Sequence, residues 1–297
     1  DVSIDNMSGK DWSEKIISEL KTMPNVTLKN RSQVFGYYDH NMMVMFERVG
    51  DHLSNKSKYT PRQRLWYIRA KETILSTGSI ERPIVFGNND TPGVVLSSAA
   101  KEYMKVYGVL VGRKPIIFTN NDSAYETAFE FKKNNVEPII LDTREEHDSE
   151  VVQEAKNKGI QIKFSYGVIV ANGYKKVKSA KIGKLTKDKK SFESTETINC
   201  DCICVSGFWT PTVHLASQSG NKLKFDEKID AFIPDKSKQN EKTIGAANGS
   251  FTLQETIESG FKTGSELSSK ITDKNNENKI PTVTETKYSV HDKFWCM

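Results

Sequence analysis

Three short polar turns are the parts of this 297-residue chain whose residue types could do chemistry. They are Thr77-Gly78, Asn120-Asn121-Asp122, and the run from Gly245 to Gly249, and each follows an apolar stretch that reads as a strand. Small residues at a strand end let the backbone come close to a phosphate or to a flat ring. A helix that begins directly after the turn adds unpaired N–H groups and the positive end of its dipole. Taken alone, each turn therefore predicts either a contact with a ligand of the nucleotide type or a turn that only ends its strand.

The elements expected to position these turns alternate between strands and helices. Residues 115–118 and 136–141 read as strands and residues 124–134 as the helix between them, which is the pattern of a right-handed βαβ crossover. Further helices are expected at 95–107, 148–158 and 252–270, and further strands at 161–164 and 198–205. Because ligands of open α/β sheets bind beyond the carboxyl ends of the strands, we expect the three turns to line a common crevice at one rim.

The turn at 119–124 departs from the usual dinucleotide-binding pattern. That pattern, G-x-G-x-x-G, uses its glycines for a tight turn and for close phosphate contact, and residues 119–124 contain no glycine. Asp122 near the phosphate position would repel a pyrophosphate, whereas Asp142, about 20 residues further on, stands where an acidic residue binds a ribose hydroxyl. The stretch therefore predicts either a degenerate nucleotide site or a structural βαβ unit without a ligand.

The order of the turns resembles that of the two-dinucleotide-binding-domain flavoproteins. Ser76-Thr77-Gly78 matches the turn that closes the first part of their flavin-type domain, and Gly245-Ala246-Ala247-Asn248-Gly249 matches the late turn that returns to it. The late turn departs from the family by having Ala-Ala-Asn where many members have an aspartate, which puts direct contact with a ribityl chain in doubt.

The chain carries five further motifs: Phe35-Gly36-Tyr37-Tyr38-Asp39-His40-Asn41, Arg64-Leu65-Trp66, Glu81-Arg82-Pro83-Ile84-Val85-Phe86, Asn88-Asn89-Asp90-Thr91-Pro92-Gly93-Val94 and Phe118-Thr119-Asn120-Asn121-Asp122-Ser123-Ala124-Tyr125. In these motifs the chain most resembles, within this family, the α subunits of heterotetrameric sarcosine oxidases. The resemblance implies an α/β, Rossmann-like FAD/NAD(P)-binding fold, truncated at its N-terminus. It places the first nucleotide-binding domain in residues 1–112 and 206–271 and an inserted second nucleotide-binding-like domain in 113–205. Residues 272–297 would be a linker toward a C-terminal folate-binding, aminomethyltransferase-like domain.

The resemblance also implies an activity, cofactors and partners. Such a complex oxidatively demethylates sarcosine, a small amine, with FAD in a partner subunit, FMN near the α/β subunit interface, NAD on the α subunit and β, γ and δ subunits as partners. The acid–base residues belong to the β subunit in this family, so we expect no catalytic residue here. The residues expected to contact cofactor are Thr77, Gly78, Asn89, Asp90, Asn120, Asn121, Asp122, Asp142, Gly245, Asn248, Gly249 and Phe251. Two alternatives remain, namely the α subunit of a related proline or opine dehydrogenase and a non-catalytic scaffold with decayed nucleotide sites.

Composition narrows the classes of protein to which the chain could belong. With 36% hydrophobic and 27% charged residues the chain is typical of a globular protein, and a formal net charge of +5 is too small to indicate a nucleic-acid partner. No apolar run approaches the roughly 18 residues of a membrane-spanning helix. Cys200, Cys202 and Cys204 fit buried strand cysteines better than metal ligands or disulfides, and a reducing, cytoplasmic location follows. The start at Asp1, without a Met, suggests a piece of a longer protein.

Overall fold

The computed structural model describes residues 2–272, 279–284 and 291–294. Most of the predicted linker, 272–297, and Cys296 lie outside these ranges. Within them, no helix combines the length and the apolar composition needed to cross a membrane.

The described residues form helices and strands in alternation. The helices are α1 Gly9–Thr22, α2 Ser97–Tyr107, α3 Tyr125–Lys133, α4 Glu150–Asn157, α5 His214–Gln218 and α6 Leu253–Thr272. The strands are β1 Ser3–Ile4, β2 Met7–Ser8, β3 Ser32–Tyr38, β4 Met42–Arg48, β5 Gln63–Arg69, β6 Thr73–Leu75, β7 Ser79–Glu81, β8 Val94–Leu96, β9 Pro115–Thr119, β10 Ile139–Asp142, β11 Gln161–Phe164, β12 Tyr166–Gly173, β13 Val177–Leu185, β14 Phe192–Asn199, β15 Cys202–Ser206, β16 Trp209–Pro211, β17 Leu223–Asp226, β18 Ala231–Pro234, β19 Glu241–Thr243 and β20 Val283–Thr284.

The chain divides into two compact units. The first unit comprises Asp1–Ser79 and Pro211–Glu285, and the second comprises Ile80–Thr210 and Thr286–Met297. The sequence-based boundaries were 112/113 and 205/206, and they assigned β8 and α2 to the first domain. In the structure these two elements pack within the second unit. The correspondence of each unit to a nucleotide-binding domain stays a prediction.

The second unit is built on a parallel sheet whose described strands have the order β11-β10-β9-β15-β8. The predicted βαβ crossover is confirmed, because α3 follows β9 and leads to β10, and Ile116 pairs with Ile139 in parallel register. The chain runs from β9 through β10 to β11 on one side, whereas β15 lies on the other side of β9. The direction of winding therefore changes between β9 and β15, which makes their carboxyl ends the topological switch point of the sheet.

The two faces of this sheet are covered differently, as the alternation of side chains on a strand requires. Ile117 and Ile140 face the helices α2, α3 and α4, in a cluster that also buries Cys202 and Cys204. Ile116 and Leu141 face the antiparallel sheet β12-β13-β14. A parallel sheet covered on both faces explains the continuous apolar run in β9, where every residue is buried. All three cysteines of this region are buried and free, as predicted.

The first unit has a smaller core. It contains the antiparallel sheet β3-β4-β5, the antiparallel pair β17–β18 and the parallel pair β6–β19. Tyr37, Leu75 and Ala216 form its described cluster of buried apolar side chains, with Met43 and Leu215 packed against it. The helix predicted at 252–270 is present as α6, and an N-terminal helix, α1, begins at Gly9.

Candidate functional site

The strands β6 and β19 bring two of the predicted turns to one edge of the first unit. The strands are parallel, with Thr73 opposite Glu241 and Leu75 opposite Thr243, so their carboxyl ends share that edge. Beyond the last pair, the Ile244 N–H donates to the Leu75 carbonyl oxygen at 2.9 Å. We call residues 76–78 and 245–249, which leave the pair here, the glycine rim. The first and last predicted turns thus share one edge of this unit, and the crevice common to all three turns stays a prediction.

The backbone of the glycine rim needs its glycines. Gly78, Gly245 and Gly249 have φ values of 71°, 64° and 86°, which other residues adopt only with strain. A Cβ on Gly78 would meet nothing within 4 Å, so the backbone there borders open space. The Thr77 hydroxyl donates to the Thr212 carbonyl at 2.7 Å, and the Thr212 N–H donates to the Gly78 carbonyl at 2.9 Å. The exit from β6 is therefore open to a ligand and is held in place by Thr212.

The late turn presents an amide side chain and ends at a capped helix. Residues 245–248 form a 3₁₀ turn in which Ala247 is buried and Asn248 is exposed, and α6 begins five residues after Asn248. The Glu255 N–H donates to the Thr252 hydroxyl at 3.2 Å, and the Glu255 carboxylate reaches back to the Thr252 N–H at 3.5 Å. This capping box places a negative charge in the first turn of α6. That charge disfavours a phosphate at the helix end and leaves the rim better suited to a ring or to a hydroxyl group.

The third predicted turn lies in the second unit and is closed. Asn120, Asn121 and Asp122 are each 1% exposed. The Asn121 side-chain carbonyl accepts from the Ser123 N–H at 3.0 Å, and its amide donates to the Ser206 carbonyl at 3.2 Å and to the Ser206 hydroxyl at 3.1 Å. Asn121 therefore joins the end of β9 to the end of β15 by hydrogen bonds. In the usual dinucleotide-binding pattern a glycine and a bound phosphate lie at this place.

Arg144 holds the two acidic residues predicted to bind nucleotide. Its Nη2 atom lies 2.7 Å from Asp122 Oδ1 and 2.7 Å from Asp142 Oδ2, and its Nε donates to Asp142 Oδ1 at 3.0 Å. Tyr125 also donates its hydroxyl to Asp142, at 2.8 Å. Burial opposes the charge on the guanidinium, but the hydrogen bonds and charges of Asp142 and Asp122 outweigh it and raise the pKa of Arg144. Burial and the neighbouring Asp142 charge raise the pKa of Tyr125.

Sequence reasoning missed Arg144, although a signal for it existed. Two carboxylates buried at the ends of adjacent strands need a cation, since burial of an unpaired charge costs several kcal/mol. Arg144 follows Asp142 by two residues and is the nearest basic residue in the sequence.

Asn89 and Asp90 lie apart from the other predicted residues of the second unit. Their loop precedes Val94, the first residue of β8, so it lies at the amino edge of the parallel sheet. Asn120–Asp122 follow the carboxyl end of β9, at the opposite edge. Asp90 is exposed and Asn89 is half-buried. The structure thus brings Asp122 and Asp142 together through Arg144 and does not bring Asn89 and Asp90 to them.

Comparison with curated proteins identifies relatives of the chain. The sarcosine oxidase α subunit of Corynebacterium sp. (strain P-1) is 33% identical over 265 residues, which are 88% of this chain and 27% of that protein. The α subunit of Rhizobium meliloti (strain 1021) is 33% identical over 246 residues, or 82% of this chain and 24% of that protein. The chain therefore spans about a quarter of the length of the curated relatives it matches. No protein-family model matches the chain.

Solved structures share the fold at low sequence identity. Thioredoxin reductase of Lactococcus lactis superposes with a TM-score of 0.63 at 14% identity, covering 91% of this chain and 86% of that one. L-proline dehydrogenase from P. horikoshii gives 0.56 at 20% identity, covering 87% of this chain and 45% of that one. The predicted fold class and resemblance are both confirmed: the chain has the α/β fold of FAD/NAD(P)-binding oxidoreductases and, over 88% of its length, is similar to a sarcosine oxidase α subunit.

Proposed function

We propose that this chain is the nucleotide-binding scaffold of a multi-subunit, flavin-dependent amine oxidoreductase that oxidatively demethylates sarcosine. The observation that carries the proposal is the 33% identity to a sarcosine oxidase α subunit over 88% of the chain. The chain spans 27% of that relative. In this proposal the activity belongs to the assembled enzyme and not to this chain by itself.

The glycine rim of the first unit is the part of the chain that fits a cofactor. Thr77 and Asn248 are exposed there, and Gly78 borders open space. We assign cofactor contact to Thr77, Gly78, Gly245, Asn248, Gly249 and Phe251. A bound flavin supplies two-electron oxidation of the amine. The chain's own part is to present an open backbone, one hydroxyl and one amide, with the carboxylate of Glu255 keeping phosphate away from the start of α6.

The proposal assigns different cofactors and roles to different chains. NAD would bind this chain and FMN its interface with the β subunit, while FAD would belong to a partner subunit and folate to a further domain. The γ and δ subunits would complete a cytoplasmic heterotetramer. Acid–base catalysis of amine oxidation would fall to the β subunit, so this chain would act by positioning the cofactor.

Reconstitution of the complex tests this function. The full-length protein should be co-expressed with the products of its neighbouring genes, and the purified complex supplied with sarcosine and oxygen. We expect sarcosine-dependent formation of hydrogen peroxide and formaldehyde. Reduction of a dye by proline or an opine, without peroxide, would contradict the proposal and assign the complex to the dehydrogenases. Absence of binding of NAD, FMN and ATP alike would indicate a non-catalytic scaffold.

A further inference from the structure

The carboxyl ends of β9 and β15 form the place in the second unit where an open α/β sheet would hold its ligand. Thr119 pairs with Ser206 at the end of these strands, and the winding direction of the sheet changes between them. Asn120 follows Thr119, and Phe208 follows Ser206 by two residues. We call the space beyond these residues the switch-point crevice.

The chain's own segment His291–Phe294 occupies the switch-point crevice. The Asp292 N–H donates to the Asn120 carbonyl at 3.0 Å. In return the Asn120 side-chain amide donates to the carbonyls of Asp292, at 2.7 Å, and Phe294, at 3.2 Å. One residue of the turn thus satisfies three backbone groups of the segment.

Side chains complete the contact at both ends of the segment. The His291 ring is stacked on the Phe208 ring, with centroids 4.0 Å apart and an interplanar angle of 7°. The Asp292 carboxylate pairs with Lys189. Phe294 is 5% exposed and joins the cluster that contains Phe118 and Val205. The segment therefore brings an aromatic ring, a carboxylate and a buried apolar side chain to the switch-point crevice.

The surroundings of the crevice also disfavour a phosphate. Asp122 and Asp142 lie beside it, and both carboxylates pair with the guanidinium of Arg144. A pyrophosphate would add negative charge next to two carboxylates that already share one cation. Asn121 further fills the gap between the strand ends through its bonds to Ser206.

We infer that the switch-point crevice is a binding site for the segment His291–Phe294 and that the second unit takes no dinucleotide there. Asn120 is the residue that recognises the segment, through its backbone carbonyl and its side-chain amide. The inference assigns Asn120, Asn121, Asp122 and Asp142 to internal contacts and leaves the glycine rim of the first unit as the cofactor site of this chain.

Hydrogen exchange of the full-length protein, read by mass spectrometry, tests the inference. In the wild type, millimolar NAD should leave the exchange of residues 119–124 and 291–294 unchanged. Asn120→Ala, which removes two hydrogen bonds to the segment, should speed exchange in 291–294 by at least about fivefold. Asn134→Ala is the matched control. The Asn134 side-chain amide donates to the Glu130 carbonyl at 2.8 Å, at the end of its own helix, so this variant should leave the exchange of 291–294 unchanged.

Two results would overturn the inference. One is slower exchange of residues 119–124 in the presence of NAD, and the other is unchanged exchange of 291–294 in Asn120→Ala. Should Asn120→Ala fail to fold, His291→Ala removes the ring stacked on Phe208 and must give the same acceleration in 291–294. Exchange of residues 76–78 and 245–249 reports separately on the glycine rim, so failure of the proposed function would be seen in different peptides.

Discussion

Asp122 lies 2.7 Å from the guanidinium of Arg144, so the carboxylate that the sequence placed at a phosphate position is the partner of a buried cation. Replacement of Arg144 by Met would leave Asp122 and Asp142 buried without that cation. We expect the free energy of unfolding to fall by roughly 3–5 kcal/mol, as measured by urea denaturation.

The matched control for this prediction is Arg62→Met. Arg62 pairs with Asp51 at 2.8 Å, but its side chain is 75% exposed and its charge stays in water, so the loss of stability should be much smaller than that for Arg144→Met. Equal losses in the two variants would contradict the account. The triple replacement of Asp122 and Asp142 by Asn with Arg144 by Met should recover part of the loss, since it leaves no unpaired charge.

The local sequence pattern was sufficient to predict the βαβ core of the second unit. The apolar run in β9, the helical spacing in α3 and the polar turn between them are short-range signals, and they predicted these elements within a few residues. The same signals found α6 and the turn before it. Residues that repeat at the period of a helix or strand need no information from distant parts of the chain.

Contacts between distant residues were beyond this kind of prediction. Asn120 and Asp292 are separated by 172 positions, and no periodicity connects them. The pairing of Ile244 with Leu75 similarly depends on the register of β6 and β19, which strand patterns do not fix. The packing of β8 and α2 within the second unit likewise depends on contacts with distant partners, which the local pattern of a strand and a helix does not contain.

Glu81 gives the chain a predictable dependence on pH. Burial raises the pKa of its carboxyl, against the lowering effect of hydrogen bonds from Ser98 and Ser206. Because the folded pKa is raised, the stability that Glu81 contributes is fully present below its unfolded pKa and is lost as the pH rises through the folded value. Glu81→Gln stays neutral and keeps an acceptor for the Ser98 N–H, which lies 2.7 Å from the carboxylate. The unfolding free energy of this variant should therefore fall less than that of the wild type from about pH 4 to about pH 7.

Urea denaturation over this pH range checks the difference. Glu102→Gln, at an exposed position of α2, serves as the control and should follow the wild-type curve. Parallel plots of the free energy of unfolding against pH for the wild type and Glu81→Gln would contradict the predicted contribution of the buried carboxyl to the pH dependence of stability.

The buried thiols should be unreactive in the folded protein. Burial raises the pKa of Cys200 to about 12, and the hydrogen bond with Cys202 together with burial raises the pKa of Cys204. Cys202 and Cys204 have their sulfur atoms 3.6 Å apart on one face of β15. In a Cys296→Ser background, iodoacetamide at pH 8 should label none of the three thiols until denaturant is added, as counted by mass spectrometry. Rapid labelling of the native protein would contradict this burial.

Replacement of two glycines by alanine should change the stability of the protein in opposite directions. Gly264 lies inside α6, where a Cβ would meet nothing within 4 Å, so Gly264→Ala should stabilise the protein by about 0.5–1 kcal/mol. Gly78 has equal space but a φ of 71°, so Gly78→Ala should destabilise it by roughly 1–2 kcal/mol. Chemical denaturation of both variants measures the difference. Changes of the same sign would mean that the backbone of the glycine rim is not as described.

Binding of NAD and FMN to the assembled complex, compared between the wild type and Asn248→Ala, tests the central claim most directly. Asn248 is exposed on the glycine rim, so its replacement should change the free energy of unfolding by less than about 0.5 kcal/mol. The account predicts that the dissociation constant of at least one of the two cofactors rises by about two- to tenfold, through loss of one hydrogen bond. Unchanged affinity for both cofactors would contradict the assignment of the rim as the cofactor site.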